Sequence, residues 1–128
     1  MPDDRDNAVA AWLLARMLRK TLFVSLNRLV AVAPASEIAP FVADHLAYMN
    51  KLEAEGHLWA SGPFIEDGVL VGDGLTILST PTIEEAERVM KDEPLIKRGL
   101  RKFELRKWEL LGGRMTITLN ASTSKHSL

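Results

Sequence analysis

The sequence contains no cysteine. That removes disulfides, thiol nucleophiles and thiolate metal sites, and it agrees with a reducing, cytoplasmic setting. Neither charge is in excess: sixteen basic residues stand against seventeen acidic ones, for a formal net charge of −1. A general nucleic-acid binder draws its affinity from surplus Lys and Arg, so the balance argues against a nucleic-acid partner. Long apolar runs are also missing. Residues 8–15 are apolar, but Arg16 interrupts them before a membrane span is reached, and Asp3, Asp4 and Asp6 give the preceding residues the wrong charge for a signal peptide. No G-x-G-x-x-G, Walker loop or G-x-S-x-G elbow occurs. Histidines stand at 45, 57 and 126 with no pair at ligand spacing on one helix, so neither a metal nor a cofactor is expected.

What is present suits one globular domain with a modest core: 128 residues, 47% hydrophobic and 26% charged. Residues 1–20 read as an N-terminal helical extension capped at Asp6 or Asn7, with Val9, Trp12, Leu13 and Met17 on the side that packs on its own domain or a sister subunit. Residues 21–32 read as a half-buried strand, because Leu22, Val24 and Leu26 alternate with Ser25 and Asn27. Pro34 ends that strand, and Ser36 or Pro40 opens a helix. On it Ile38, Phe41, Val42, His45, Met49 and Leu52 recur at three- and four-residue steps and share one face.

Gly56 stops this helix, and residues 57–60 form a short strand closed by Ser61-Gly62-Pro63. Glu66-Asp67-Gly68 and Gly72-Asp73-Gly74 are turn signals around a short apolar run. Residues 74–79 are the next strand. Thr82 with Glu85 makes a capping box for a second helix with Ile83, Ala86 and Met90 inward, ended by Asp92-Glu93-Pro94. Residues 95–99 make a short helical turn. Residues 100–111 alternate as a strand with a phase change near Lys107. After Gly112-Gly113, residues 115–119 alternate as an extra strand before a polar tail.

The order strand, helix, strand, strand, helix, strand is the ferredoxin-like β-α-β-β-α-β unit. The fold class is therefore α+β with an antiparallel sheet, divided as residues 1–20, 21–111 and 112–128. Two helices cover one sheet face, and pairing of the other face with a second copy is the economical way to bury it. A homodimer or higher homo-oligomer is expected.

His45 is the anomaly of the chain, the one titratable group on an apolar stripe. A lone histidine there is more often a core residue with one satisfied hydrogen bond, but imidazole is also the side chain best suited to moving protons near neutral pH.

The runs HLAYMNKLEAEGHLWASGPF, GDGLTIL, IEEAERVMKDEPLIKRGL and FELRKWEL together resemble the YCII-related (YciI-like) family over roughly residues 21–111. The resemblance implies a dimeric α/β barrel related in fold to muconolactone isomerase. It also implies an active site in which a helix histidine works with an aspartate just before a proline. His45 matches the first position. The second departs, since this chain reads Asp92-Glu93-Pro94, and either Glu93 or Asp92 is the acid.

A carboxylate on one imidazole nitrogen fixes the tautomer and raises the basicity of the other, which then serves as general acid and base. Ser61 and Gly62 are candidates for the rim of a substrate pocket, Trp59 and Phe64 for its apolar lining, and Asp73 for a further acid. For each of these the ordinary role, turn or core, is the commoner one. Two function classes follow. One is an isomerase, lyase or dehydrohalogenation catalyst acting on a small oxygenated ring or carbonyl compound. The alternative is a non-catalytic metabolite-binding or assembly module on the same fold.

Overall fold

The computed structural model describes residues 4–30, 35–118 and 121–122. The elements are α1 (Asp4–Ala15), β1 (Lys20–Leu29), α2 (Ala35–Ala54), β2 (Leu58–Glu66), β3 (Val69–Leu78), α3 (Ile83–Lys91), α4 (Pro94–Lys97) and β4 (Arg101–Leu110). By its contacts the chain divides into residues 20–110 and a second unit made of 1–19 with 111–128. Among the described residues no helix is long and apolar enough to cross a membrane.

The four strands form one antiparallel sheet in the order β2-β3-β1-β4, the α+β architecture expected of the ferredoxin-like unit. Helices α2, α3 and α4 pack on a single face of it. Their core joins Phe23 and Leu78 of the sheet to Met49 and Leu52 of α2 and Ala86 and Met90 of α3, with Phe103 and Leu105 of β4 alongside. Side chains alternate along a strand, so Ser25 and Asn27 point to the same side as Phe23, toward the helices. Ser25 and Asn27, the polar members of the β1 alternation, are both buried. They are satisfied in a row: Ser25 Oγ donates to Asn27 Oδ1 at 2.7 Å, and Asn27 Nδ2 donates to Thr76 Oγ1 at 3.0 Å across to β3.

Several local readings need correction. Helix α2 begins at Ala35 and carries Pro40 inside it rather than at its start. Strand β2 does not close at Ser61-Gly62-Pro63 but runs on to Glu66, with irregularities between Leu58 and Ala60 and between Pro63 and Ile65. It is an edge strand, where a proline without an N–H is tolerated. The only turn in this hairpin is Asp67-Gly68, both at positive φ (50° and 73°), the two-residue geometry that matches strand twist.

Gly72-Asp73-Gly74 is therefore not a turn. It lies inside β3, where glycine is needed for space. A Cβ at Gly74 would lie 3.3 Å from the Gly62 carbonyl oxygen, and one at Gly72, whose φ is +87°, would overlap the Leu29 side chain.

Helix α3 is capped at Thr82, whose hydroxyl accepts from Glu85 N at 3.2 Å, but Ile83 is exposed while Ala86 and Met90 are buried. Helix α2 ends on Gly56 at φ +79°, with His57 N donating back to Leu52 O at 2.9 Å.

Within the second unit, α1 starts at Asp4 rather than after a cap at Asp6 or Asn7, and none of its residues is buried; Arg16 lies 4.6 Å over the Trp12 ring. The extra strand expected over residues 115–119 is not formed. Residues 115–118 have no regular secondary structure, and Leu119 lies outside the described residues. Alternation marks a segment able to enter a sheet, but a strand exists only against a partner, and no described part of this chain supplies one.

Gly72→Ala should lower stability by about 1–3 kcal/mol, because it adds positive-φ strain and overlap with Leu29 together. Gly62→Ala, whose Cβ meets nothing within 4 Å, should stay within about 0.5 kcal/mol of the parent. Urea denaturation measures both, and equal midpoints would show that β3 does not need glycine at position 72.

Candidate active site

His45 lies on α2 one turn before the buried Met49, on the stripe that faces the sheet, and its side chain is 21% exposed. Its partner comes from the junction of α3 and α4. Helix α3 ends at Asp92, and Glu93 is extended (φ −62°, ψ 129°), the conformation favoured before a proline. Pro94 then opens α4 with its missing N–H at a position that has no intrahelical acceptor. The chain thus turns so that Glu93 caps α4, with Oε1 accepting from Leu95 N and Oε2 from Ile96 N, each at 3.2 Å. The same Oε1 lies 2.5 Å from His45 Nδ1.

Glu93 is 2% exposed. Burial alone pushes its pKa up. The hydrogen bond from His45, the amide of Leu95, the His45 charge and the amide of Ile96 outweigh that and hold it below the ordinary carboxylate value. An ionised carboxylate only accepts, so the shared hydrogen sits on Nδ1, and in the neutral ring Nε2 is the nitrogen that carries the lone pair. Among the described residues nothing hydrogen-bonds to Nε2. Of the two candidate acids, Glu93 makes the contact. Asp92 is the C-cap of α3, with its N–H directed to Arg88 O and Met90 O and its side chain exposed, and it makes no bond to His45.

The remaining candidates lie on the sheet. Ser61 and Gly62 are exposed on the edge strand opposite Thr76 and Leu75; Trp59 is half-buried at one β2 irregularity and Phe64 is 41% exposed at the other. None is hydrogen-bonded to His45. Asp73 is tied to the sheet, its Oδ1 accepting from Leu29 N at 3.0 Å. Tyr48 is a tie as well: its hydroxyl donates to Val89 O at 2.6 Å, and burial, with the charges of Asp92, Glu93 and Glu55, pushes its pKa up to about 12, so it stays a donor. His57 faces Glu55 at 3.7 Å in an exposed pair, and His126 lies outside the described residues. Among the described residues no group of three or more His, Asp or Glu is placed to hold a metal ion.

One inward-facing charged residue escaped the sequence reading. Arg101 opens β4 in phase with Phe103 and Leu105, so it too faces the helices; burial lowers its pKa, and the charges of Glu93 and Asp73 work against that. The signal was an arginine two residues before an inward phenylalanine.

The model of the YCII-related domain family matches residues 22–109. The uncharacterized protein YjpA of Bacillus subtilis (strain 168) is 28% identical over 69 residues, which is 54% of this chain and 76% of that one. Among solved structures, the 5-chloro-2-hydroxyhydroquinone dehydrochlorinase TftG from Burkholderia phenoliruptrix AC1100, in complex with 2,5-dihydroxybenzoquinone, superposes with a TM-score of 0.57. The match covers 68% of this chain and 92% of that one at 22% identity, a likeness of fold.

The lowered pKa of Glu93 fixes the sign of one pH effect. Glu93 holds its proton more weakly when folded than when unfolded, so its ionised form adds stability above the ordinary value of 4.5. That contribution is lost as pH falls through the lower folded value. Glu93→Gln should therefore be less stable than the parent at neutral pH by roughly 1–3 kcal/mol, and the gap should close in acid. Denaturation midpoints from neutral pH down through this window measure it, and two parallel curves would refute the coupling.

Proposed function

This chain belongs to the YCII-related family, and on that premise we propose that it is a small-molecule enzyme in which His45 moves a proton. The observation that carries the reading is the 2.5 Å contact of His45 Nδ1 with a buried, capped Glu93. With Nδ1–H held by the carboxylate, Nε2 is the general base, and the imidazolium formed when it takes a proton is stabilised by Glu93. The substrate class is an oxygenated ring or carbonyl compound. His45 takes the proton of a ring hydroxyl or of a carbon beside a carbonyl. The electron pair of the broken bond becomes a new C=O or C=C. In an isomerisation the proton returns at another carbon. In a dehydrohalogenation the proton returns at the halogen-bearing carbon, and loss of a second hydroxyl proton then forms a C=O and expels halide, so that the net loss is one proton and one halide and no oxidant or reductant is needed. The activity and fold of the dehydrochlorinase named above support this range, and Asp73 and β2 residues Trp59, Ser61, Gly62 and Phe64 remain proposed substrate contacts.

The same reading includes a homodimer. Helices α2, α3 and α4 occupy one sheet face, while Val24 and Leu26 of β1 and Leu75 and Ile77 of β3 alternate to the other and are half-buried. A second copy placed there would bury them.

The test pairs turnover with thermal melts, using halogenated hydroquinones and hydroxylated carbonyl compounds as substrates. His45→Ala and His45→Gln should each reduce turnover by about 10²–10⁴-fold while CD spectra match the parent. A folded His45→Ala enzyme with parental turnover defeats the proposal. Binding of 2,5-dihydroxybenzoquinone without conversion of any substrate would make the chain a metabolite-binding module instead. Sedimentation at micromolar concentration should give a dimer, and Ile77→Glu should give a monomer.

A further inference from the structure

Arg101 makes no hydrogen bond or ion pair among the described residues, and its Nε is buried without a partner. A guanidinium removed from water is costly unless its charge and its donors are answered. The two carboxylates that favour its charge are bonded elsewhere, and neither bonds Arg101. Glu93 accepts from His45, Leu95 and Ile96, and Asp73 accepts from Leu29 N. Beside the guanidinium the sheet carries a glycine rather than a side chain. Gly74 faces the helices at this point, opposite Asn27 in β1 and Pro63 in β2, and a Cβ built on it would lie 3.9 Å from Arg101 Nη1. Asn27 and Thr76, buried and hydrogen-bonded to each other, border the same patch.

We propose that Arg101 binds a pair of oxygens on the substrate, at least one of them ionised, so that the compound handled at the His45 site is an oxyanion borne on a planar ring or conjugated acid. This rests on the reading of His45 as a base and narrows its substrate class. A guanidinium presents parallel N–H groups in a rigid fork that fits two neighbouring oxygens, as in a carboxylate or a ring hydroxyl beside a carbonyl. Removal of a proton by His45 leaves negative charge on the substrate, and a fixed, partly desolvated cation on the same sheet face stabilises that charge without reorganising.

The test is equilibrium binding of two probes to the full chain: 2,5-dihydroxybenzoquinone, which has ionisable hydroxyls beside carbonyls, and 2,5-dimethoxybenzoquinone, which has the same ring and cannot ionise. The parent should prefer the dihydroxy probe by about 10- to 100-fold, and Arg101→Gln should erase that preference while binding the dimethoxy probe as before. Arg101→Lys, which keeps the charge and loses the fork, should recover only part of it. No preference in the parent, or an undiminished preference in either variant with a parental melting curve, overturns the proposal. The His45 reading is tested separately by turnover. If His45→Ala is inactive while Arg101→Gln keeps the preference, the proton-transfer function stands and this assignment falls. If Arg101→Gln loses the preference while His45→Ala turns over normally, Arg101 is the oxyanion residue of a site whose base is elsewhere.

Discussion

The contact between His45 and Glu93 joins the middle of α2 to the junction of α3 and α4, and it ties the cap of α4 to the orientation of the imidazole. A carboxylate that is 2% exposed is sustained only when its oxygens are occupied by donors. Here three donors reach it, two of them backbone amides whose positions are fixed by a proline-opened turn of helix. The helix termini are thereby satisfied and the imidazole is oriented by one side chain. Packing and chemistry are not separable at Glu93, which is why a structural role for the pair and a catalytic one predict the same contact and differ only in what Nε2 does.

The helix-facing side of the sheet is divided between two kinds of surface. Phe23, Leu78, Phe103 and Leu105 meet Met49, Leu52, Ala86 and Met90 in an ordinary apolar core. Further along the same strands stand Ser25, Asn27, Thr76, Gly74 and Arg101, where apolar side chains would stabilise the fold more simply. A buried polar row is tolerable when it is connected, and this one is, apart from Arg101. Local departures from the rule of apolar cores tend to mark sites of function, and the one unsatisfied member is the natural place to look for a ligand.

Much of the fold was legible because it is written in periodicity. The stripe through His45, Met49 and Leu52, the Thr82 cap, the Gly56 stop and the alternation of Phe103 and Leu105 with Glu104 and Arg106 each declare an element locally. Less was legible where the environment decides. Ser25 and Asn27 alternate with Leu22, Val24 and Leu26, and nothing local says that the polar row faces the helices. Gly72-Asp73-Gly74 has turn composition, yet close approach of Leu29 and of the Gly62 carbonyl, both distant in sequence, makes glycine necessary inside a strand. Residues 115–118 alternate as a strand should, but pairing needs a partner that alternation cannot name. The acid beside His45 was narrowed to two neighbours by resemblance, and only the extended backbone before Pro94 distinguishes them.

That choice of neighbour also accounts for the presence of glutamate where the family resemblance implies aspartate. From an N-cap position a short acid can reach the first amides of a helix, and aspartate does so routinely. Glutamate places its carboxylate about 1.5 Å farther from the backbone, one additional C–C bond. At Glu93 the added length is used in two directions, since Oε2 serves Ile96 N while Oε1 serves both Leu95 N and His45 Nδ1. The carboxylate is thereby carried toward α2 while remaining a cap for α4. An acid at this position is held by the helix that follows it, and the histidine is held by the acid, so the orientation of the imidazole rests on the Glu93-Pro94 turn.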